Sequence, residues 1–158
     1  MKYEIVEATE LHCVAVGLNI RESDKEELAA GSGHKPIPAL LDSLYVSDKD
    51  MVFAVLYDSK PVAMFGCNKL TDEIGGAWLL ATDGIYSNKR DFIVKSREMM
   101  DLFHTRYPYL TNFIDTRNTT SIKWLESMGW VTIQRIKEYG VGKKPFVQML
   151  SNRGETNV

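Results

Sequence analysis

The sequence has few cysteines, no long apolar run and no excess of positive charge. Its two cysteines, Cys13 and Cys67, have neither the spacing of metal ligands nor the density of a disulfide scaffold. We therefore predict two reduced thiols in the core, and no metal site. No apolar stretch approaches the ~20 residues that a membrane helix needs, and no apolar leader segment opens the chain. These features predict a cytosolic protein that does not enter a membrane.

A formal net charge of −2 gives no overall positive field that would attract nucleic acid. The basic pairs Lys89-Arg90 and Lys143-Lys144 are isolated, which also argues against a nucleic-acid-binding module. The chain has 158 residues, 44% of them hydrophobic, which is enough for one domain with a substantial core. We predict a single domain over residues 1–150 and a disordered tail over residues 151–158.

Hydrophobic periodicity predicts a mixed α/β fold. The predicted strands are 3–6, 51–57, 61–67, 77–83, 109–115, 130–136 and 147–150. The predicted helices are 10–18, 23–28, 39–46, 89–107 and 118–128. Strands 77–83 and 109–115 flank a single helix, so we expect them to be parallel and adjacent.

The first two helices differ in character. Thr9 can cap the first helix, whose predicted apolar residues at helical spacing are Leu11, Val14, Ala15 and Leu18. The second helix lies in the charged stretch 21–28, with Ser23 as its predicted cap. We interpret the charges of this stretch as a solvated helix face.

The stretch 109–130 carries the most informative pattern. A buried strand ends in a polar break, and from Asn118 the period becomes helical, with Ile122, Leu125 and Met128 on one face. Asn118 can act as the N-cap of this helix, and Gly129 fits a left-handed C-cap.

Asn118, Ile122, Gly129 and Trp130 together resemble the C-terminal signature of the GCN5-related N-acetyltransferase (GNAT) superfamily. In that family an Asn opens a helix, an aliphatic residue follows four positions later, and Gly with an aromatic residue closes it. The resemblance implies a GNAT-like fold, whose central mixed sheet is flanked by helices and splits between two parallel strands, here 77–83 and 109–115. It also implies that acetyl-CoA enters this split.

In the family, the pyrophosphate of acyl-CoA rests on the N-terminus of the helix after the central strand, where unpaired N–H groups and the helix dipole favour phosphate. The matching segment here, 85–92, has no glycine, whereas the family has a glycine-rich loop. Lys89 and Arg90 could contact phosphates by charge, although a solvated basic first turn describes them equally well. The candidate cofactor-binding residues are Ala81, Thr82, Ser87, Asn88, Lys89, Arg90 and Asn118.

The resemblance supplies no general acid, because Leu125 occupies the position where many GNAT enzymes have a tyrosine. For the base, Asp83 and Asp115 are the candidate catalytic residues, since both follow the carboxyl ends of the two central strands. The alternative for both is a turn-forming aspartate that accepts backbone N–H groups.

Taken end to end, the chain resembles a narrower group of phage and prophage proteins, which includes the internal virion protein A (gene product thirteen) of short-tailed coliphages. The resemblance spans roughly residues 14–150. The matching segments are NIRESD at 19–24, PVAMFG at 61–66, WLLATD at 78–83, SR at 96–97, NFIDTRN at 112–118, SIKWL at 121–125, and 139–140 with 145–146. It implies a phage-encoded protein of the host cytoplasm.

Two functions stay open at this point. The first is an acetyl-CoA-dependent N-acyltransferase that acts on an unknown amine. In it, the backbone N–H groups of strand 77–83 would polarise the carbonyl, and Asp83 or a water that it holds would take the amine proton. The second is a non-catalytic protein with the same fold, which serves virion morphogenesis or binds a host or virion protein.

Overall fold

The computed structural model describes residues 1–153 of the chain. Seven strands lie in this part: β1 Glu4–Glu7, β2 Val52–Tyr57, β3 Lys60–Lys69, β4 Ile74–Ala81, β5 Tyr109–Asp115, β6 Val131–Tyr139 and β7 Lys144–Asn152. The α-helices of the same part are α1 Glu10–Leu18, α2 Glu22–Gly31, α3 Pro36–Val46, α4 Lys89–His104 and α5 Thr119–Ser127. A short 3-10 helix, Asp83–Tyr86, connects β4 to α4.

The strands form one sheet in the order β1-β2-β3-β4-β5-β7-β6. The pairing is antiparallel throughout, except that β4 and β5 run parallel. This arrangement confirms the predicted mixed α/β fold with a parallel central pair. Strand β7 runs to Asn152, two residues past the predicted domain boundary, and residues 154–158 of the predicted tail lie outside the described residues.

The parallel pair is joined at one end only. Ile74, Gly75 and Gly76 pair with Tyr109, Leu110 and Thr111, and the two strands then continue separately to Ala81 and Asp115. Strand β4 begins at Ile74, three residues before the predicted start at residue 77, and residues 74–76 are the part of β4 that pairs with β5. Glycine is required at position 75, where a Cβ atom would come within 2.6 Å of the Cys67 sulfur and the Tyr107 ring.

Helices cover both faces of the sheet. Helices α1 and α3 pack on one face over a small core cluster of Cys13, Val16, Leu40, Ala54, Met64 and Leu80. The larger cluster lies on the other face beneath α4 and α5, and its members include Phe65, Phe92, Phe103, Ile114, Leu125 and Trp130. Cys13 and Cys67 are free and buried, as predicted. No helix within residues 1–153 is long and apolar enough to cross a bilayer.

Helix α1 buries a different face from the predicted one. Leu11 and Leu18 are 80% and 71% exposed, whereas the buried residues are Cys13, Val16 and Gly17. The reason is the approach of α3, since a Cβ atom at Gly17 would lie only 2.5 Å from the Ile37 side chain. A glycine that admits a neighbouring helix leaves no hydrophobic signal in the sequence.

Two of the three polar N-caps predicted from the sequence are present: Thr9 caps α1 and Asn118 caps α5. Asn88 caps α4 through its side-chain oxygen. Gly129 has a φ angle of +92°, which fits its predicted left-handed C-cap. The prediction of Ser23 as the cap of α2 was wrong, because the helix begins at Glu22 and its N-cap position is Arg21.

Candidate functional site

A cavity lies where β4 and β5 separate. Its free volume is about 50 Å³, and it is bounded by the two strands, by α4 and by α5. We call it the inner chamber. Its lining is mainly apolar, with Phe65, Met99, Met100, Phe103, Leu125 and Trp130 among the contributors. Ligand pockets in proteins are usually concave and mostly apolar, with a few polar groups, and this chamber fits that description.

A second cavity, the vestibule, lies between the first turns of α4 and α5. It occupies about 780 Å³ including open solvent, and its polar lining consists of Arg21, Tyr86, Lys89, Thr120, Ser121, Lys123 and Ser127. Four residues line both cavities and form a neck between them: Leu79, Phe92, Ser121 and Trp124. The rings of Phe92 and Trp124 lie 5.8 Å apart across α4 and α5. A vestibule with basic side chains therefore lies next to a mainly apolar chamber, and the contacting rings of Phe92 and Trp124 lie between the two.

Carboxylates from α2 occupy the backbone donors of the separated strands. Asp24 Oδ2 accepts the Ala81 N–H of β4 at 2.9 Å, and Glu27 Oε1 accepts the Asp115 N–H of β5 at 2.9 Å. Both carboxylates also line the inner chamber. The prediction that the charges of this helix form a solvated face was therefore wrong for Asp24, which is buried, and for its partner Arg21.

Arg21 and Asp24 form a buried ion pair. The guanidinium donates from Nε to Oδ2 at 3.0 Å and from Nη2 to Oδ1 at 2.7 Å, which is the two-point geometry that makes such pairs strong. Arg21 also donates to the Tyr86 hydroxyl at 3.0 Å and to Ser121 Oγ at 3.2 Å. The pair thus joins α2 to β4, to the neck and to the vestibule.

Glu27 has the chemistry of a general base. Burial raises the pKa of its carboxyl to about 7, and the nearby charges of Asp24 and Asp115 raise it further, against the opposing hydrogen bonds from Asp115 N–H and Asn118. Asn118 Nδ2 donates to Glu27 Oε1 and to Asp24 Oδ1, each at 3.4 Å. A carboxyl that titrates near neutral pH beside a cavity is matched to proton transfer.

The two aspartates that the sequence singled out lie elsewhere. Asp83 is exposed in the 3-10 helix. Asp115 is buried and accepts hydrogen bonds from the Arg117 guanidinium at 2.7 to 3.2 Å. Although burial alone would raise it, the pKa of Asp115 is held below its usual value by Arg117. Neither aspartate lines the chamber or the vestibule, and their catalytic roles stay predictions.

Among the candidate cofactor-binding residues, Lys89 lines the vestibule. Arg90 and Ser87 are exposed and lie outside the lining of both cavities. Asn118 contacts the chamber carboxylates, as described above. The Ala81 N–H is held by Asp24, and Thr82 Oγ1 accepts the Gly84 N–H at 3.1 Å.

The start of α4 already contains its own acceptors. Asn88 Oδ1 accepts the Asp91 N–H at 3.1 Å, and the Asn88 N–H donates to the Tyr3 hydroxyl at 3.1 Å. Asp91, in the first turn, accepts the Tyr3 N–H at 2.7 Å. A ligand phosphate at this helix start would therefore depend on the side chains that line the vestibule, Lys89 first among them.

Sequence reasoning missed Arg21, Asp24 and Glu27. Their spacing of three residues was the available signal, because it places all three near one side of a helix. Two tryptophans of the core also line the inner chamber, Trp124 and Trp130. Within the described residues, their buried indole N–H groups have no protein hydrogen-bond partner, so each is a donor available to an acceptor group.

Several solved structures with the same architecture are named as acetyltransferases. A GNAT-family acetyltransferase from Bacillus anthracis superposes with a TM-score of 0.72 at 12% identity, over 96% of this chain and 95% of that one. The chain has the GNAT fold. The ribosomal-protein-S18-alanine N-acetyltransferase of Escherichia coli gives a TM-score of 0.69 at 12% identity, over 95% and 93% of the two chains. Ard1 from Thermoplasma volcanium gives 0.69 at 16% identity, over 96% and 98%.

No protein-family model matches the sequence, and no curated protein matches it. At these identities the structural likeness shows the fold alone, and a GNAT fold is compatible with more than one function. The function therefore depends on the side chains that line the chamber, the neck and the vestibule.

Proposed function

We propose that the protein is an acyl-CoA-dependent N-acyltransferase that binds its acyl donor between β4 and β5. The observation that carries this proposal is the separation of β4 and β5 beyond residues 76 and 111, with a chamber in the gap and a cationic vestibule next to it. Phosphate groups match the vestibule, because Lys89 and Lys123 supply positive charge and Thr120 and Ser127 supply hydroxyl donors. The acetyltransferases with the same fold support the reaction class.

The edge of β4 provides backbone groups that could form hydrogen bonds with the acyl-CoA. The Ala81 backbone faces the split, since its carbonyl accepts the Arg21 N–H at 2.8 Å and its own N–H is bound by Asp24. Backbone groups alternate along a strand, so those of Leu79, in the neck, face the same edge. The unpartnered indole N–H groups of Trp124 and Trp130 are additional donors for carbonyl groups.

Bound acyl-CoA would supply an activated thioester. Glu27 acts as the base in this proposal: its carboxylate takes a proton from the acceptor amine as the amine nitrogen bonds to the acyl carbon. The C–S bond breaks, its electron pair leaves with the CoA thiolate, and the thiolate takes a proton from water. Its pKa of about 7 makes this transfer effective near neutral pH. Arg21 and Asp24 are positioning groups, which hold α2 and therefore Glu27 against the split.

A second candidate is a non-catalytic, phage-encoded protein that uses this fold in virion morphogenesis or binds a host or virion protein in the host cytoplasm. Two observations favour it. The strand donors of Ala81 and Asp115 are already bound by carboxylates, and the first turn of α4 contains Asp91 in place of a glycine-rich loop.

Binding of CoA and acetyl-CoA separates the two candidates. At a hundredfold excess over the dissociation constant, a ligand of the folded state adds about 2.7 kcal/mol of stability, which a thermal-shift assay detects. Lys89→Ala should weaken CoA binding, and Arg90→Ala, which removes a neighbouring charge outside the cavity lining, is the matched control. A folded sample with no shift at millimolar ligand would contradict the acyltransferase and support the second candidate.

Release of CoA thiol over a panel of primary amines tests the chemistry. The panel should include peptides with an N-terminal alanine, the substrate named for the E. coli protein of the same fold. Glu27→Gln should lower kcat/KM by about 10²- to 10⁴-fold and remove the rise in kcat/KM near pH 7, while CoA still binds. An unchanged pH profile would exclude Glu27 as the base.

A further inference from the structure

We propose that the outer face of α1, together with the end of α3 beside it, is the contact surface between two copies of this chain. The inference is independent of the proposed acyltransferase, because α1 and α3 cover the other face of the sheet from α4 and α5. It rests on exposed apolar side chains at positions where a surface helix normally has charged ones.

Helix α1 is apolar on both of its sides. Its buried side packs on the small core cluster described above. On its outer side Leu11, Val14 and Leu18 are 80%, 41% and 71% exposed, and the one acidic or basic residue of the helix, apart from a histidine, is Glu10. A surface helix normally has polar residues opposite its buried stripe, whereas a helix that is hydrophobic all round is normally buried. Within the described residues, the outer side of α1 therefore lacks the cover that its composition calls for.

Helix α3 lies beside α1 and extends this exposed surface. Gly17, near the end of α1, packs against Ile37, near the start of α3. The Tyr45 hydroxyl, near the end of α3, donates a hydrogen bond to Glu10 at the start of α1. The two helices are therefore antiparallel neighbours, and Tyr45, which is 65% exposed, lies beside the first turn of α1. We call the combined surface the outer patch, and its members are Leu11, Val14, Leu18 and Tyr45.

The size of the outer patch fits a dimer. The exposed parts of its four residues amount to roughly 500 Å², which is in the range of the largest apolar patches on proteins. Homodimer interfaces are about 65% apolar, so this area corresponds to roughly 800 Å² per copy once a polar rim is included. Each partner in a stable, specific interface buries about that much surface.

The outer patch is also self-complementary under twofold symmetry. Residues 11, 14 and 18 lie on one side of α1, because they are three and four positions apart. A twofold axis that crosses the helix between Val14 and Ala15 would place Leu11 of one copy against Leu18 of the other, at two equivalent points. The small side chain of Ala15 would let the helices approach closely at the axis. The two Glu10 carboxylates would lie at opposite ends of the contact, where they do not repel each other.

The charges of these helices disfavour a lipid surface as the occupant. Helices that lie on membranes usually have Lys or Arg beside the apolar face, and these residues attract anionic lipids. Apart from a histidine, the charged residues of α1 and α3 are Glu10 and Asp42, and both are acidic. A second copy of the chain needs no such positive charge.

Sedimentation velocity over a series of protein concentrations tests the proposal. We expect the wild type to pass reversibly from monomer to dimer below about 100 μM. Leu11→Glu and Leu18→Glu each bring a charge into the contact, and each should raise the dissociation constant of the dimer by at least about tenfold. Both side chains are exposed, so the variants should keep the circular dichroism of the wild type. Val94→Glu is the matched control, since it changes an exposed valine on α4 and should leave the dissociation constant unchanged.

Cross-linking tests the position of the twofold axis. Val14→Cys places a thiol beside the axis, so mild oxidation should give a disulfide-linked dimer on a non-reducing gel. Val94→Cys, treated in the same way, should stay monomeric on that gel. The native Cys13 and Cys67 are buried and should not take part. The wild-type concentration series and Val14→Cys decide the matter if an acidic variant fails to fold.

Three outcomes would overturn the proposal. The first is a wild type that stays monomeric at every concentration. The second is a dimer that both acidic variants leave as tight as the wild type, since its contact would then lie on another surface. The third is a monomer that binds phosphatidylcholine vesicles and loses this binding in Leu11→Glu, which would assign the outer patch to lipid.

Discussion

The two ends of the β4–β5 pair are held in different ways. At the amino ends, backbone pairs backbone over Ile74–Gly76 and Tyr109–Thr111. At the carboxyl ends, the strands are bridged by side chains of α2, with Asp24 on Ala81 and Glu27 on Asp115. Backbone pairing closes the sheet permanently, whereas a carboxylate can give up an N–H group to a ligand. The gap between the strands is therefore bridged by the carboxylates of Asp24 and Glu27, and a ligand could displace them from the backbone N–H groups.

The two ends also differ in the amino-acid substitutions that they tolerate. Gly75 packs against Cys67 and Tyr107 so closely that a methyl group does not fit. The open end depends on the buried Arg21–Asp24 ion pair, in which desolvation offsets much of the attraction but the loss of one partner leaves the other charge buried and unpaired. Substitutions at the two ends should therefore act through different physical effects.

Breaking the charged end should have the largest effect. Asp24→Ala leaves Arg21 buried without its partner and frees the Ala81 N–H, so we expect the free energy of unfolding to fall by about 3–5 kcal/mol. Urea denaturation measures this loss. Asp72→Ala is the matched control, since Lys69 and Asp72 form an ion pair with the same three-residue spacing on the exposed surface, and it should leave the midpoint unchanged. Equal effects of the two variants would contradict the role given to burial.

Removing the titration of Glu27 should have the next largest effect. Its pKa is raised from 4.5 to about 7, so between these values the folded state holds a proton that the unfolded chain has released. The stability of the wild type therefore falls as pH rises through this window. Glu27→Gln cannot titrate and should be more stable than the wild type at pH 8 by up to about 3 kcal/mol, with little difference at pH 4.

Chemical denaturation at several pH values measures this dependence. Glu26→Gln, at the neighbouring exposed position, is the control and should reproduce the wild-type profile. Parallel profiles for Glu27→Gln and the wild type would show that Glu27 does not hold a proton in the folded state near neutral pH.

Crowding the closed end should have the smallest of the three effects. In Gly75→Ala the new methyl group would lie 2.6 Å from Cys67 Sγ and from the Tyr107 ring, so we expect a loss of about 1–3 kcal/mol by overpacking. Gly76→Ala is the comparison, because its nearest neighbour, the Asn68 side-chain oxygen, lies at 3.0 Å and can shift. The midpoint of thermal unfolding should be lower for Gly75→Ala than for Gly76→Ala, and the reverse order would contradict the packing argument.

Local signals in the sequence were reliable because their physics is local. Asn118 and Gly129 delimit α5 through a cap and a positive φ angle, which depend only on neighbouring residues. The element order followed from periodicity, and with it came the parallel central pair. The start of α4 at Lys89 also followed from periodicity, and this position in the chain brings Lys89 to the lining of the vestibule.

Features that depend on distant partners could not be predicted in this way. Glu27 acquires its raised pKa by burial against Asp115, which lies 88 residues away in the sequence. The charged stretch 21–28 looks like a solvated face until β4 and α5 are packed against it. The glycines at 75 and 76 look like a turn until β5 pairs beside them, and the exposed face of α1 is decided by α3.

The unpaired indoles give the protein an intrinsic optical reporter. All three tryptophans of the chain line the chamber; Trp78 donates its N–H to Ser47, whereas the N–H groups of Trp124 and Trp130 have no protein partner among the described residues. Indole emission responds to hydrogen bonding and to local polarity. Occupation of the site could therefore be followed by the ultraviolet fluorescence of the unlabelled protein, in real time and at low concentration.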